Sequence, residues 1–219
     1  MKKTNTRSGK RTAAALAAVL LLLSLLCACS PRANLHLTFD AERDALVSGD
    51  DCIYYFAPVA YEPASVTKTP YAEWDGGFLY PVTGWDPKLL LTEEFTGVGG
   101  LLCSADLTLP SLTGMHPASI YVCTASDRPQ AILEITDQTV VTEAAALLEN
   151  GKQIDLPSGG TTTLYLKFCS PEYEGIFYNV LYIQVGEGTD ALRCLYDRSD
   201  KRCVEVPYAL FDGLLYGEE

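Results

Sequence analysis

The stretch TTTLYLKFCSPEYEGIFYNVLYIQV, residues 161–185, decides the fold because it contains two consecutive β-strand patterns separated by a turn. In its first part Leu164, Leu166 and Phe168 alternate with other side chains, which is typical of a strand with one buried face. Its second part is apolar at neighbouring positions, which predicts a central strand buried on both faces. The predicted strands are 161–169 and 176–185.

Applied to the rest of the chain, the same pattern analysis predicts an α+β fold. We expect a mostly antiparallel β-sheet with one main amphipathic helix, about 137–150, packed on it. The helix has Asp137 as its N-cap, repeats apolar residues at spacings of three and four, and is expected to stop in a left-handed turn at Asn150-Gly151. Pro and Gly break the chain between Pro63 and Pro87, which we expect to be irregular. Further strands are predicted at 35–39, 53–60, 100–109, 119–124, 131–135, 191–197 and 201–207, with a helical turn at 208–216.

The N-terminus has the composition of a secretory signal peptide. Five Lys or Arg residues and no acidic residue precede an apolar run from Ala13 to Cys29 that only Ser24 interrupts. At 17 residues this run is at the short limit for a helix crossing about 30 Å of hydrocarbon, so a permanent span is the alternative.

The end of that run, Leu26-Cys27-Ala28-Cys29, resembles the lipobox of bacterial lipoproteins, in which a Leu and two small residues precede the lipidated Cys. Cys29 fits the lipidated position because Ala28 precedes it, whereas Cys27 follows Leu26. The resemblance implies cleavage before Cys29, acyl chains on that residue, and an extracytoplasmic protein anchored to the bacterial cell membrane. The predicted domains are a signal peptide at 1–28, a tether at 29–34 and one α+β domain at 35–219, with a subdomain break expected near 125–130.

The C-terminal part carries a second resemblance. The stretches ITDQTVVTEAAALLENG, GIFYNVLYIQV and LYDRSDKRCVEVP, within residues 131–216, are similar to a recurrent pattern in uncharacterised lipoproteins of clostridial-type bacteria. This resemblance implies a shared fold and extracytoplasmic placement, and it brings no established activity.

The charge of the mature chain limits its partners. Removal of residues 1–28 takes away five of the 16 basic side chains and none of the 28 acidic ones, which leaves a formal charge of −17. Nucleic acid requires a basic patch, so we expect no nucleic-acid partner. The acidic surface is also repelled by an anionic membrane face, so the domain is expected to stand off the bilayer on its tether.

Six cysteines remain once Cys27 is removed and Cys29 is lipidated. An even number outside the cytoplasm permits three disulfides, in 15 pairings, although several of these cysteines lie in apolar strands where a free thiol acts as a small hydrophobic group. The six are Cys52, Cys103, Cys123, Cys169, Cys194 and Cys203.

Cys194 and Cys203 flank a predicted hairpin, CLYDRSDKRC, whose loop length sets their register. A two-residue loop at Arg198-Ser199 places the two cysteines opposite each other, whereas a three-residue loop with Asp200 in the left-handed region does not. Asp tolerates positive φ better than Arg or Ser, so we expect the longer loop and no Cys194–Cys203 disulfide. In that register Cys203 lies opposite Leu195 and Cys194 opposite Val204.

Catalytic and metal-binding motifs are scarce. The chain has two histidines and lacks a Gly-x-Ser-x-Gly elbow, a His-Glu-x-x-His motif and a phosphate-binding glycine loop. Cys103, His116 and Cys123 lack the close ligand doublets of structural zinc sites. We therefore expect no catalytic residue, no metal and no cofactor.

The stretch YAEWDGGFLYPVTGWDP, residues 71–87, supplies the candidate ligand-binding residues because it repeats Trp-Asp, as Trp74-Asp75 and Trp85-Asp86. Aromatic faces beside carboxylates suit a sugar, a peptide or a cationic group. The alternative is that both tryptophans are core residues and both aspartates cap turns.

These patterns predict a membrane-anchored, non-catalytic binding or interaction module whose partner is a carbohydrate, a peptide or a protein. The alternative function is a small cell-surface hydrolase that uses acidic residues. A pocket with converging carboxylates would favour the enzyme, and Trp74 or Trp85 exposed on a groove would favour the binding module.

Overall fold

A computed structural model describes residues 33–49, 52–75, 77–93, 100–126, 128–159 and 162–215. The predicted signal peptide and Cys29 lie outside the described residues. Residues Ala33–Glu219 form one compact unit. The predicted fold class is confirmed, since the chain is mostly antiparallel β-structure with one main helix. Within the described ranges, no helix is long and apolar enough to cross a membrane.

The N-terminal strands are short: β1 (Leu35–His36), β2 (Thr38–Asp40), β3 (Ala45–Val47), β4 (Ile53–Phe56), β5 (Tyr61–Pro63), β6 (Ala72–Trp74), β7 (Gly77–Pro81), β8 (Leu90–Thr92) and β9 (Leu101–Ser104). The C-terminal strands are longer: β10 (Ser119–Thr124), β11 (Ala131–Ile135), β12 (Thr162–Cys169), β13 (Ile176–Val185), β14 (Leu192–Asp197) and β15 (Arg202–Glu205). The helices are α1 (Gln138–Asn150) and α2 (Tyr208–Leu215), with 3₁₀ turns at Thr113–Met115 and Pro171–Tyr173.

The C-terminal sheet has the order β11-β10-β12-β13-β14-β15, and every pairing in it is antiparallel. β13 is central, as the sequence predicts, and it pairs with two strands along one edge: β5 along its first residues and β14 along its last. Residues 125–130, where a subdomain break was expected, join the paired strands β10 and β11. The break itself stays a prediction.

Helix α1 packs its predicted apolar face on this sheet, and Val141, Ala144 and Leu148 are buried there. Asp137 is the N-cap and accepts a hydrogen bond from Thr139 N at 2.8 Å. The predicted left-handed stop is wrong, because Gly151 is extended at φ −65° and ψ 162°. Glycine is required there for close approach instead: its N–H donates to Leu147 O at 2.6 Å, and a Cβ would overlap that carbonyl.

The N-terminal sheet closes on itself. Its order is β1-β6-β7-β8-β9-β4-β3-β2, and its two outermost strands, β1 and β2, are separated only by Leu37. A single stretch of chain therefore pairs with β6 at one end and with β3 at the other. The region 63–87, expected to be irregular, contributes the paired strands β6 and β7, so that expectation was wrong. The small core inside this closed sheet is Leu37, Leu46, Tyr54, Ala72, Leu79, Leu91 and Leu102.

The outer side of the closed sheet joins the main core. Leu90 and Cys103 from β8 and β9 lie in one buried cluster with Leu166, Phe168 and Tyr182 from the C-terminal sheet. Gly175, just before β13, lies at another close approach between the two sheets. It has φ +90°, and a Cβ there would lie closer than 3.0 Å to Thr83 O.

The register of the β14–β15 hairpin differs from the prediction. Asp197 pairs with Arg202, so the loop has four residues, 198–201, and Lys201, not Asp200, takes the positive φ of 54°. Asp197 Oδ1 accepts a hydrogen bond from Ser199 N at 2.7 Å, which stabilises this longer loop. The observed pairs are Leu195 with Val204, Cys194 with Glu205 and Tyr196 with Cys203.

This register places Cys194 and Cys203 on the same face of the hairpin. Both lie in one small buried cluster with Ile183. All six cysteines between Cys52 and Cys203 are free thiols in this structure.

Candidate functional site

The structure places the two Trp-Asp pairs in different parts of the molecule. Trp74 packs on the core of the closed sheet, whereas Trp85 packs on the main core. Trp85 Nε1 donates a hydrogen bond to Glu174 O at 2.6 Å, and its ring stacks on Tyr173 with centroids 6.3 Å apart. Asp86 Oδ1 accepts a hydrogen bond from Lys88 N at 2.9 Å, which caps a turn. Trp85 and Asp86 therefore have structural contacts of the kind expected under the alternative interpretation.

Trp74 lies at one end of the closed sheet, beside two aromatic residues from other strands. Phe39 is the residue before the last in β2, and Phe56 is the last residue of β4. The Phe56 and Trp74 rings meet edge to face with centroids 6.3 Å apart. Phe39 is 49% exposed and Phe56 is 42% exposed, and Trp74 is partly exposed. We call Phe39, Phe56 and Trp74 the aromatic end.

Strand register explains why these rings gather. Phe39 lies opposite Leu46, and Phe56 lies opposite Leu102, so both rings share the inward face with core leucines. Trp74 is two residues after buried Ala72 and therefore points to the same side. Because the strands end there, the rings cover the small core and also reach solvent.

Sequence reasoning identified Trp74 but missed Phe39 and Phe56. Their common position depends on closure of the sheet, which joins residues far apart in the chain. The local signal was weak: each is an aromatic residue at the last inward-facing position before a turn or loop.

A groove with a volume of about 540 Å³ lies at this end. Asp75 is exposed in the β6–β7 turn with φ +46°, and it lines the groove together with Trp74. The residues that line the groove are His36, Leu37, Thr38, Phe39, Trp74 and Asp75. A flat aromatic face with an adjacent carboxylate is suited to binding.

A second cavity, of about 410 Å³, carries carboxylates from Glu149, Asp197 and Asp200. Asp197 is 3% exposed and accepts hydrogen bonds from the Tyr178 hydroxyl and from Ser199 N. We call this cavity the acidic cleft.

Glu149 in the acidic cleft is held by Thr113. Its two carboxylate oxygens accept hydrogen bonds from Thr113 N at 2.8 Å and from Thr113 Oγ1 at 2.5 Å. Burial alone would raise the pKa of Glu149, but these hydrogen bonds outweigh it and hold the pKa below its usual range. Glu149 is therefore an ionised group that orders the 3₁₀ turn.

Two tyrosines line the same cleft and remain protonated. Burial raises the pKa of Tyr61 and of Tyr178 well above the ordinary value, and the Asp197 carboxylate adds to both increases. The Tyr61 hydroxyl donates to Pro110 O, and the two rings meet edge to face at 4.9 Å. Both hydroxyls thus serve as hydrogen-bond donors within the fold.

A buried ion cluster joins β5 to the C-terminal sheet. Glu62 lies 3.0 Å from Lys167 Nζ and 3.1 Å from an Arg198 guanidinium nitrogen. Asn179 Nδ2 donates to the same carboxylate at 2.6 Å. Lys167 and Arg198 balance the negative charge of this carboxylate. The cluster therefore has a structural explanation.

Among the described residues, no cysteine thiol is hydrogen-bonded to a histidine ring. Burial raises the pKa of Cys103 to about 11, so its thiol stays protonated at neutral pH. His116 Nδ1 lies 3.4 Å from Glu172 Oε2, and both side chains are exposed. In the part of the chain that the structure describes, no three His, Cys, Asp or Glu side chains are grouped to hold a metal ion.

Comparison with known proteins gives no relative: no family model, no curated protein and no solved structure matches this chain.

Proposed function

We propose that this protein is a lipid-anchored, extracytoplasmic binding module that holds its ligand at the aromatic end. The binding site is proposed from the groove lined by Phe39 and Trp74. Phe56 packs edge to face on Trp74 beside the groove, and all three rings come from separate strands and remain at least partly exposed. Exposed aromatic clusters of this kind on a folded domain are characteristic of interaction sites. The anchor is supported by the basic and apolar N-terminus and by the lipobox-like Leu26-Cys27-Ala28-Cys29.

The anchor is tested with two matched variants in a bacterial host. Cys29→Ser removes the proposed acylation site and should abolish incorporation of a labelled fatty acid and release or misprocess the protein. Cys27→Ser changes the neighbouring cysteine and should leave labelling and membrane attachment unchanged. Unchanged attachment of Cys29→Ser would refute the anchor.

The binding site is tested by ¹⁹F NMR of the full mature protein carrying 5-fluorotryptophan. Trp74 and Trp85 each give one resonance, so ligand binding near one of them can be distinguished from binding near the other. The ligand panel has three members: the neutral sugar chitotetraose, the basic peptide Ac-(Lys-Ala)₃-NH₂, and the same peptide with its lysines acetylated. At least one of them should shift the Trp74 resonance in a saturable way while Trp85, held by Glu174, stays constant. A Trp74 resonance that none of the three shifts contradicts the proposed site.

The second candidate function is a hydrolase, and the acidic cleft with its three carboxylates is the observation that favours it. We propose binding in preference to catalysis because Asp197 and Glu149 already accept hydrogen bonds on both of their oxygens. Asp200 is exposed and is the carboxylate to test. Hydrolysis of a chromogenic glycoside above the buffer rate, lost in Asp200→Asn, would establish the enzyme instead.

A further inference from the structure

The aromatic end carries an excess of negative charge. Five carboxylates lie at this end, against the single basic side chain of Arg43 within residues 35–49 and 72–75. The positions follow from the register: the β2–β3 turn and the β6–β7 turn leave the closed sheet at the same end as Phe39 and Trp74. The five carboxylates are Asp40, Glu42, Asp44, Glu73 and Asp75.

Two of these carboxylates are already engaged with neighbouring side chains. Asp40 lies 3.6 Å from Arg43 Nε and also caps its own turn. Glu73 lies 3.3 Å from His36 Nδ1. The other three are exposed, and Asp75 is the one that lines the groove together with Trp74.

We infer that the groove takes a cationic ligand, namely the ammonium or guanidinium group of a basic peptide side chain, seated on the Trp74 ring beside Asp75. The inference rests on the proposed function and gives its ligand class. Tryptophan is the aromatic side chain that attracts cations best, because its ring face is the most negative. A neighbouring carboxylate adds a charge-assisted hydrogen bond to the same group.

Charge complementarity favours this ligand over the alternatives. A neutral sugar can stack on Trp74 and donate hydroxyl hydrogen bonds to a carboxylate, but it gains no charge attraction from the five carboxylates, and an anionic ligand is repelled by them. The mature chain carries a formal charge of −17, so its field also attracts basic peptides from solution. Binding of a basic peptide should therefore weaken as added salt screens these charges.

The inference is tested with the labelled protein and the three probes defined above. Ac-(Lys-Ala)₃-NH₂ should shift the Trp74 resonance, and its acetylated form, which has the same backbone but no charge, should bind at least about tenfold more weakly. Asp75→Asn should weaken the basic peptide about three- to fivefold, since one exposed ion pair is lost. Asp86→Asn is the matched control, because it changes the other Trp-Asp pair and should leave the affinity unchanged.

The possible results separate this inference from the proposed function. If chitotetraose or the acetylated peptide shifts Trp74 as strongly as the basic peptide, the groove binds ligands but the cationic class is wrong. An Asp75→Asn variant that binds the basic peptide as tightly as the unmodified protein also overturns the inference. If no probe shifts Trp74, both the ligand class and the binding site are wrong.

Discussion

Replacement of Gly175 by alanine is expected to be among the most destabilising single changes in this chain, for two reasons that can be measured separately. At φ +90° an alanine is strained, which costs about 1–2 kcal/mol. Its Cβ would also lie closer than 3.0 Å to Thr83 O, so the backbone must move, at a further cost of about 1–3 kcal/mol. We therefore expect Gly175→Ala to lower the free energy of unfolding by about 3–4 kcal/mol.

Gly186 provides a control with the same backbone conformation. Its φ is +89°, but the nearest atom to an added Cβ is Ala191 Cα at 3.6 Å, an ordinary contact. Gly186→Ala should therefore lose only the strain contribution, about 1–2 kcal/mol. The entropic effect of Gly→Ala on the unfolded chain is common to both variants and cancels in the comparison.

The assay is equilibrium urea unfolding of a chain that begins at residue 29, the proposed first residue of the mature protein, followed by circular dichroism. With a urea slope of about 2 kcal/mol per molar, a difference of about 2 kcal/mol between the variants corresponds to midpoints separated by about 1 M urea. Equal midpoints for Gly175→Ala and Gly186→Ala would refute the reasoning, since they would mean that residue 175 does not approach Thr83.

Two further predictions concern the main helix and the acidic cleft. Asp137→Ala removes the N-cap hydrogen bond to Thr139 N and should lower the free energy of unfolding by about 1 kcal/mol, measured by the same urea assay, whereas Asp137→Asn should retain most of it. Thr113→Val removes one hydrogen bond to Glu149 and should cost about 1 kcal/mol at pH 7. Because the folded pKa of Glu149 is lowered, its stabilisation is present above the unfolded pKa and is lost as pH falls through the folded pKa. The cost of Thr113→Val should therefore shrink in acid, and a cost independent of pH would contradict this account.

Much of the C-terminal sheet was predictable because its strands are long enough to show a pattern. β12 and β13 have eight and ten residues, and their alternation or uniform burial is visible without any tertiary information. Helix α1 was predictable for the same reason, from its spacing and its cap. Its C-terminal stop was not, because the glycine there is required by the approach of Leu147 O and not by a positive φ.

The N-terminal sheet was not predictable in this way. β6 and β8 have three residues each, too few for any period to be read. The hairpin register failed for a related reason, since one additional loop residue, Lys201 at positive φ, inverts which side chains share a face. In the site, composition could not distinguish Trp74 from Trp85, because the difference depends on contacts made by Glu174 and Tyr173 from a distant part of the chain.

The pairing of β5 with β13 constrains when the chain can finish folding. Glu62 and Asn179 are hydrogen-bonded although they are 117 residues apart in the chain, so the order of synthesis separates the two partners. If the chain is exported as proposed, it emerges from its N-terminus, and β5 has no partner until β13 has crossed the membrane. Long-range pairings of this kind slow folding and expose strand edges in the meantime. The edge of β5 is therefore the part of the chain that waits longest for its partner strand.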